Sequence, residues 1–91
     1  MSDRGSLVLV GTPIGNLGDL SPRAVAALRD ADVIAAEDTR RTRALLTHAQ
    51  VPAGRRLLAL HAHNEQAVAA QLVGRMRGGA RIAYVTDAGM P

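Results

Sequence analysis

Ninety-one residues suffice for one small domain, and the absence of Cys excludes disulfide scaffolds, thiolate zinc sites and cysteine nucleophiles. All eleven basic residues are Arg, so no Lys is present to form a Schiff base, bind phosphate or act as a base, and the net charge of +3 is compatible with nucleic acid without arguing for it. No apolar run approaches a membrane span, and the N-terminus carries neither a signal nor a transit pattern, so the expectation is a soluble, cytoplasmic protein with no membrane partner.

In chain order, Ser6 to Val10 is a short, β-branched apolar run closed by Gly11-Thr12-Pro13, which predicts a buried parallel strand. Gly11 to Leu20 is too broken by glycine and proline for a regular element. Ser21 followed by Pro22 is an N-cap and first helical position, and Ala24 or Ala27, Val25 and Leu28 form the inward stripe of a helix ending near Asp30. Asp32 to Ala36 predicts a second strand. Asp38 or Thr39 caps a second helix that turns Leu45, Leu46 and Ala49 inward and Arg40, Arg43 and Thr47 to solvent, until Val51 to Gly54 breaks it. Leu57 to Leu60 is a third strand, and Asn64 caps a helix in which Ala67, Val68, Leu72, Val73 and Met76 recur at helical spacing. Gly78-Gly79 ends that helix, and Arg81 to Val85 is a fourth strand. Strands alternating with helices predict an α/β fold with a parallel sheet and flanking helices.

The core has to be built from Leu, Val, Ile and Ala, because Tyr84 is the sole aromatic residue. A domain of this length buries only roughly 60–65% of its unfolded surface, so such a core is marginal. Together with an end at Pro91, where a loop is beginning, this predicts that residues 1–91 are a fragment.

Open parallel sheets bind ligands beyond the carboxyl ends of their strands. Here those ends read Gly11-Thr12-Pro13, Glu37-Asp38-Thr39-Arg40, His61-Ala62-His63-Asn64-Glu65 and Thr86-Asp87-Ala88-Gly89, and most of the polar residues able to do chemistry converge there. The amino ends offer only Ser6, Asp32 and Arg81, which read as a solvated edge. The first loop fails the dinucleotide fingerprint, since Pro13 stands at the second glycine position, and it fails the nucleotide-hydrolase phosphate loop for want of Lys. Glu37, ending the second strand, sits where a carboxylate accepts hydrogen bonds from a ribose diol. His61 and His63 alternate on one face of a strand end, as metal-dependent hydrolases arrange them, but Asn64 and Glu65 are equally well explained as a cap and a first-turn acid. No resident metal is expected. Arg40, Arg41 and Arg43 open a helix, where such a run is usually a solvated face; cations there oppose the dipole, which makes a polyanionic partner somewhat more attractive than usual. Arg55, Arg56, Arg75 and Arg77 are scattered, in keeping with a role in solubility alone.

Four segments in this order carry a resemblance: Leu9-Val10-Gly11-Thr12-Pro13-Ile14-Gly15-Asn16-Leu17-Gly18-Asp19, then Ala35-Ala36-Glu37-Asp38-Thr39-Arg40, His61-Ala62-His63-Asn64-Glu65, and Asp87-Ala88-Gly89-Met90-Pro91. Together they resemble the small-subunit ribosomal RNA methyltransferase I family of the tetrapyrrole methylase superfamily. Ala62 departs from the pattern, in which an acid is common.

The resemblance implies two α/β domains with S-adenosylmethionine in the cleft between them, a homodimer, and an N-terminal sheet of five strands in the order 3-2-4-1-5. It implies methylation of a cytidine ribose 2′-oxygen in 16S ribosomal RNA of the small subunit. Thr12, Pro13, Asp87, Ala88 and Gly89 would then bind the cofactor. Glu37, Asp38 and His63 are candidate acceptors for the hydroxyl proton, with Glu37 and His63 taken as catalytic, and Arg40, Arg43, Asn64 and Glu65 face RNA. The fragment by itself is expected to be inactive. The alternatives are a tetrapyrrole-type C-methyltransferase of the same superfamily, a metal-dependent hydrolase using His61 and His63, and a non-catalytic nucleotide-binding module.

Overall fold

A computed structural model describes residues 5–11, 20–60 and 64–86. The chain runs β1 (Ser6–Gly11), α1 (Pro22–Asp30), β2 (Val33–Ala36), α2 (Thr39–His48), β3 (Leu57–Ala59), α3 (Glu65–Arg77) and β4 (Arg81–Thr86). The elements expected from the sequence are therefore present, with ends displaced by a residue: β1 and β4 each run one further, β2 starts at Val33 and β3 stops at Ala59. Expectations on Thr12, Pro13, His61, His63, Asp87, Ala88 and Gly89 lie outside the described residues.

Local chemistry sets the helix starts. The Ser21 hydroxyl accepts from the Ala24 N–H at 3.1 Å ahead of Pro22, and Asp38 Oδ1 accepts from the Arg41 N–H at 3.0 Å, so Asp38 is the cap of α2. Asn64 departs from expectation. It stands at the N-cap of α3 but makes no capping bond, and its side-chain amide donates to the Ala59 carbonyl at 3.1 Å, pinning the end of β3 to the start of α3.

All strand pairs are parallel, in the order β1-β4-β2-β3. This is the 3-2-4-1 part of the order implied by the resemblance. From β1 to β2 and on to β3 the chain advances across the sheet, and from β3 to β4 it turns back. With crossovers of one hand, α1 and α2 share a face and α3 takes the other. The main core agrees: Val10, Ile34, Ala36, Ala83 and Val85 of the sheet pack with Leu28 of α1's inward stripe and with Leu45, Leu46 and Val51, and α3 contributes nothing to this cluster. Val33, Ala35 and Ile82, of opposite parity along their strands, are buried on the α3 face, and α3 buries Val68. The α3 stripe is narrower than expected, since Ala67 is exposed and Val73 is exposed at 45%.

β1 corrects the expectation of a buried strand. It pairs with β4 on one side only, and Leu7, Val8 and Leu9 are exposed, Leu9 at 69%. Its apolar sequence is that of an interior strand; its position in the described sheet is an edge.

The amino edge is tied down by side chains. Asp32 Oδ2 accepts from the Arg81 N–H at 2.8 Å while the Asp32 N–H donates to the Arg81 carbonyl, also at 2.8 Å. Arg56 is no solubility residue. Its Nη1 lies 2.9, 3.2 and 2.7 Å from the carbonyls of Leu28, Arg29 and Ala31, Nε donates to the Ala53 carbonyl, and Nη2 donates to that of Pro52. One guanidinium thus closes the C-terminus of α1 and fastens to it the loop leading into β3.

Candidate functional site

β2 feeds α2 on one face of the sheet and β3 feeds α3 on the other, so the chain leaves these neighbouring strands in opposite directions. In open parallel sheets such a divergence between neighbouring strands marks the place where ligands bind, at the carboxyl ends. The end of β2 carries Glu37 and Asp38, and α3 opens with Asn64 and Glu65.

Glu37 continues the alternation of Val33 and Ala35 and therefore stands on the α3 side of the sheet, exposed. Ala36 pairs with Val85, which brings the next residues of the two strands, Glu37 and Thr86, abreast. The Thr86 hydroxyl donates to Glu37 Oε1 at 3.0 Å. Tyr84, two residues back on the same face, completes the corner. Its phenol is held above the ordinary tyrosine value first by partial burial and then by the carboxylates of Glu37 and Glu65.

Asp38, a candidate acceptor from the sequence, has its carboxylate on the first turn of α2, whereas that of Glu37 meets the neighbouring strand end at Thr86. Arg40 and Arg43 are both exposed on α2, as expected, and α2 has no acidic residue in its first turn to offset them. Glu65 is exposed in the first turn of α3, where its charge suits the helix dipole. Gly11 of β1 pairs with Thr86 of β4, so the segments beginning at Thr12 and Asp87 leave from adjacent strand ends. Among the described residues no group of three or more His, Asp or Glu side chains is arranged to hold a metal ion; His61 and His63, on which a metal site would depend, lie outside them. No described helix is long and apolar enough to cross a membrane.

Two residues of this corner, Tyr84 and Thr86, are given no role at the site by the sequence alone, although Thr86 belongs to the fourth strand end. Alternation along β4 sets Ile82, Tyr84 and Thr86 on one face and alternation along β2 sets Glu37 on the same face. What links them is the adjacency of β2 and β4, a property of topology rather than of either segment.

The chain is similar along its whole length to curated bacterial proteins. It is 55% identical over 91 residues to the Ribosomal RNA small subunit methyltransferase I of Xylella fastidiosa, covering 100% of this chain and 33% of the relative. It is 50% identical over 90 residues to the protein of the same name from Escherichia coli O157:H7 (99% and 31%), and 47% identical over 89 residues to that of Halalkalibacterium halodurans (98% and 30%). The chain thus spans about a third of the length of the curated relatives it matches. The family model described as Tetrapyrrole (Corrin/Porphyrin) Methylases matches residues 6–91. With a parallel sheet in the order that superfamily implies and a match over nearly its whole length, the chain belongs to the tetrapyrrole methylase family.

Proposed function

We propose that this chain is the N-terminal α/β part of an S-adenosylmethionine-dependent methyltransferase that methylates a cytidine ribose 2′-oxygen in 16S ribosomal RNA of the small subunit. The observation that carries it is identity of 44–56% to proteins named Ribosomal RNA small subunit methyltransferase I, extending across all four strand ends. A second α/β domain following these residues supplies the other wall of the cofactor cleft, and the complete enzyme is a cytoplasmic homodimer.

S-adenosylmethionine supplies a methyl group on a sulfonium when bound. Thr12, Pro13, Asp87, Ala88 and Gly89 hold it, which fits the adjacency of the strand ends they follow. The ribose hydroxyl is a weak nucleophile and needs an acceptor for its proton as its oxygen bonds to carbon. Glu37 takes that proton, with His63 as the second catalytic group. Arg40 and Arg43 bind phosphate and, with Asn64 and Glu65, position the RNA; such contacts orient a substrate without reading its sequence.

The test is methyl transfer by the full-length enzyme to small ribosomal subunits, with the product nucleoside identified by mass spectrometry. Recovery of 2′-O-methylcytidine is expected, and Glu37→Gln and His63→Ala should each lower kcat on the order of 100-fold. Wild-type turnover in either variant removes that residue from the chemistry, and a methyl group on a base or a tetrapyrrole overturns the substrate assignment.

A further inference from the structure

The carboxylate assigned above as acceptor stands on a flexible, exposed side chain, and the structure shows what restrains it. Thr86 is half-buried at the end of β4, a strand paired with β1 on one side and β2 on the other. Its β-branched side chain is stiff at χ1, so its hydroxyl is a fixed point of the sheet. From there it donates to Glu37 Oε1 at 3.0 Å. A carboxylate has about four lone-pair directions, so one bond from Thr86 orients the group and leaves it able to accept from a second hydroxyl.

We propose that Thr86 is a positioning residue for methyl transfer: it holds the Glu37 carboxylate at the carboxyl end of β4, and it does so from the residue that immediately precedes the 87–89 segment assigned to the cofactor. The hydroxyl undergoes no chemistry of its own. The proposal deepens the function given above and rests on the role assigned there to Glu37.

A purely structural role for Thr86 makes a different forecast. Valine has the same shape and at least as strong a preference for strands but no hydroxyl, whereas serine keeps the hydroxyl and loses the methyl group. In the full-length enzyme Thr86→Val should lower kcat on the order of 10- to 100-fold while KM for S-adenosylmethionine stays within about twofold, and Thr86→Ser should remain within about threefold of wild type. In a Glu37→Gln background Thr86→Val should cost less than about twofold more, because its effect passes through the carboxylate already removed. A crystal structure of Thr86→Val should show the Glu37 carboxylate displaced from β4. Wild-type turnover in Thr86→Val, equal impairment in Thr86→Ser, or effects of the two substitutions that simply multiply would each overturn the proposal. If the wild-type enzyme itself transfers no methyl group to small subunits, the functional assignment fails. The crystal structure then decides the proposal by itself: a displaced carboxylate upholds Thr86 as its anchor, and an unmoved one overturns it.

Discussion

The two ends of the sheet use similar side chains for opposite purposes. At the amino end Asp32 and Arg56 spend their polar atoms on the backbone: one accepts from the Arg81 N–H, and the other donates to carbonyls of Leu28, Arg29, Ala31, Ala53 and Pro52. At the carboxyl end Glu37, Arg40 and Arg43 stand exposed, and Glu37 is bonded by another side chain rather than by the backbone. Residue type alone does not separate a structural Arg from one free to meet a ligand. Position along the strand direction does: the polar atoms of Asp32 and Arg56 close on the backbone at the amino end, while Glu37, Arg40 and Arg43 stand exposed at the other.

The largest effect that tests this contrast is at Arg56. Replacing it with Met keeps much of the stem's packing and strips donors from a set of partly buried carbonyls, so unfolding of the full-length enzyme in urea should lose about 2–3 kcal/mol at unchanged m. Affinity for S-adenosylmethionine, measured by calorimetry, should not change. Arg56→Lys should restore only part of the loss, since an ammonium cannot span carbonyls from two segments. A variant as stable as wild type would erase the distinction between the two ends.

Arg40 and Arg43 should behave in the reverse way. Alanine at either position should leave the urea midpoint nearly unchanged. Removing one phosphate contact should reduce the slope of log affinity against log salt by about 0.7–0.9 in filter binding to ribosomal RNA. An unchanged slope would place the RNA on another surface and reduce the arginines to a solvated helix face.

The fold was legible in the sequence because its signals are local. Ser21-Pro22, the apolar period of α2 and the β-branched runs each specify an element within a few residues, and Asp38 or Thr39 was already marked as the cap of α2. The failures are long-range. Arg56 bonds to residues as far as 28 positions away, Asp32 to a residue 49 away, and nothing beside either in the sequence announces the partner. The exposure of β1 has the same origin, since apolar alternation describes a strand's composition and not how many neighbours flank it. Within the site, the carboxyl-end location and Glu37 followed from the order of the elements. Thr86 and Tyr84 required knowing that β4 lies between β1 and β2. Asn64 departs for a nearer reason: its amide donates to the Ala59 carbonyl five residues back, and its side chain makes no capping bond to α3.

The smallest expected effect probes that corner directly. Tyr84 is the sole tyrosine and the chain has no Trp, so phenolate absorbance reports this one ring if the rest of the enzyme is subtracted or the chain is titrated alone. Its midpoint should lie above the ordinary 10.0, because burial and two carboxylates disfavour the phenolate. Below the ordinary value both folded and unfolded chains keep the proton, and the associated stability is fully present. Above it the unfolded chain releases its proton first, so stability falls as pH rises toward the folded midpoint. Burial is the leading cause and Glu37 the next, ahead of Glu65. Glu37→Gln should therefore lower the midpoint without returning it to the ordinary value, Glu65→Gln should lower it less, and Arg56→Met, at the far end of the sheet, should leave it where it is. A midpoint indifferent to Glu37 would mean that the carboxylate does not share a face with Tyr84, and the corner that distinguishes the carboxyl end from the amino end would have to be redrawn.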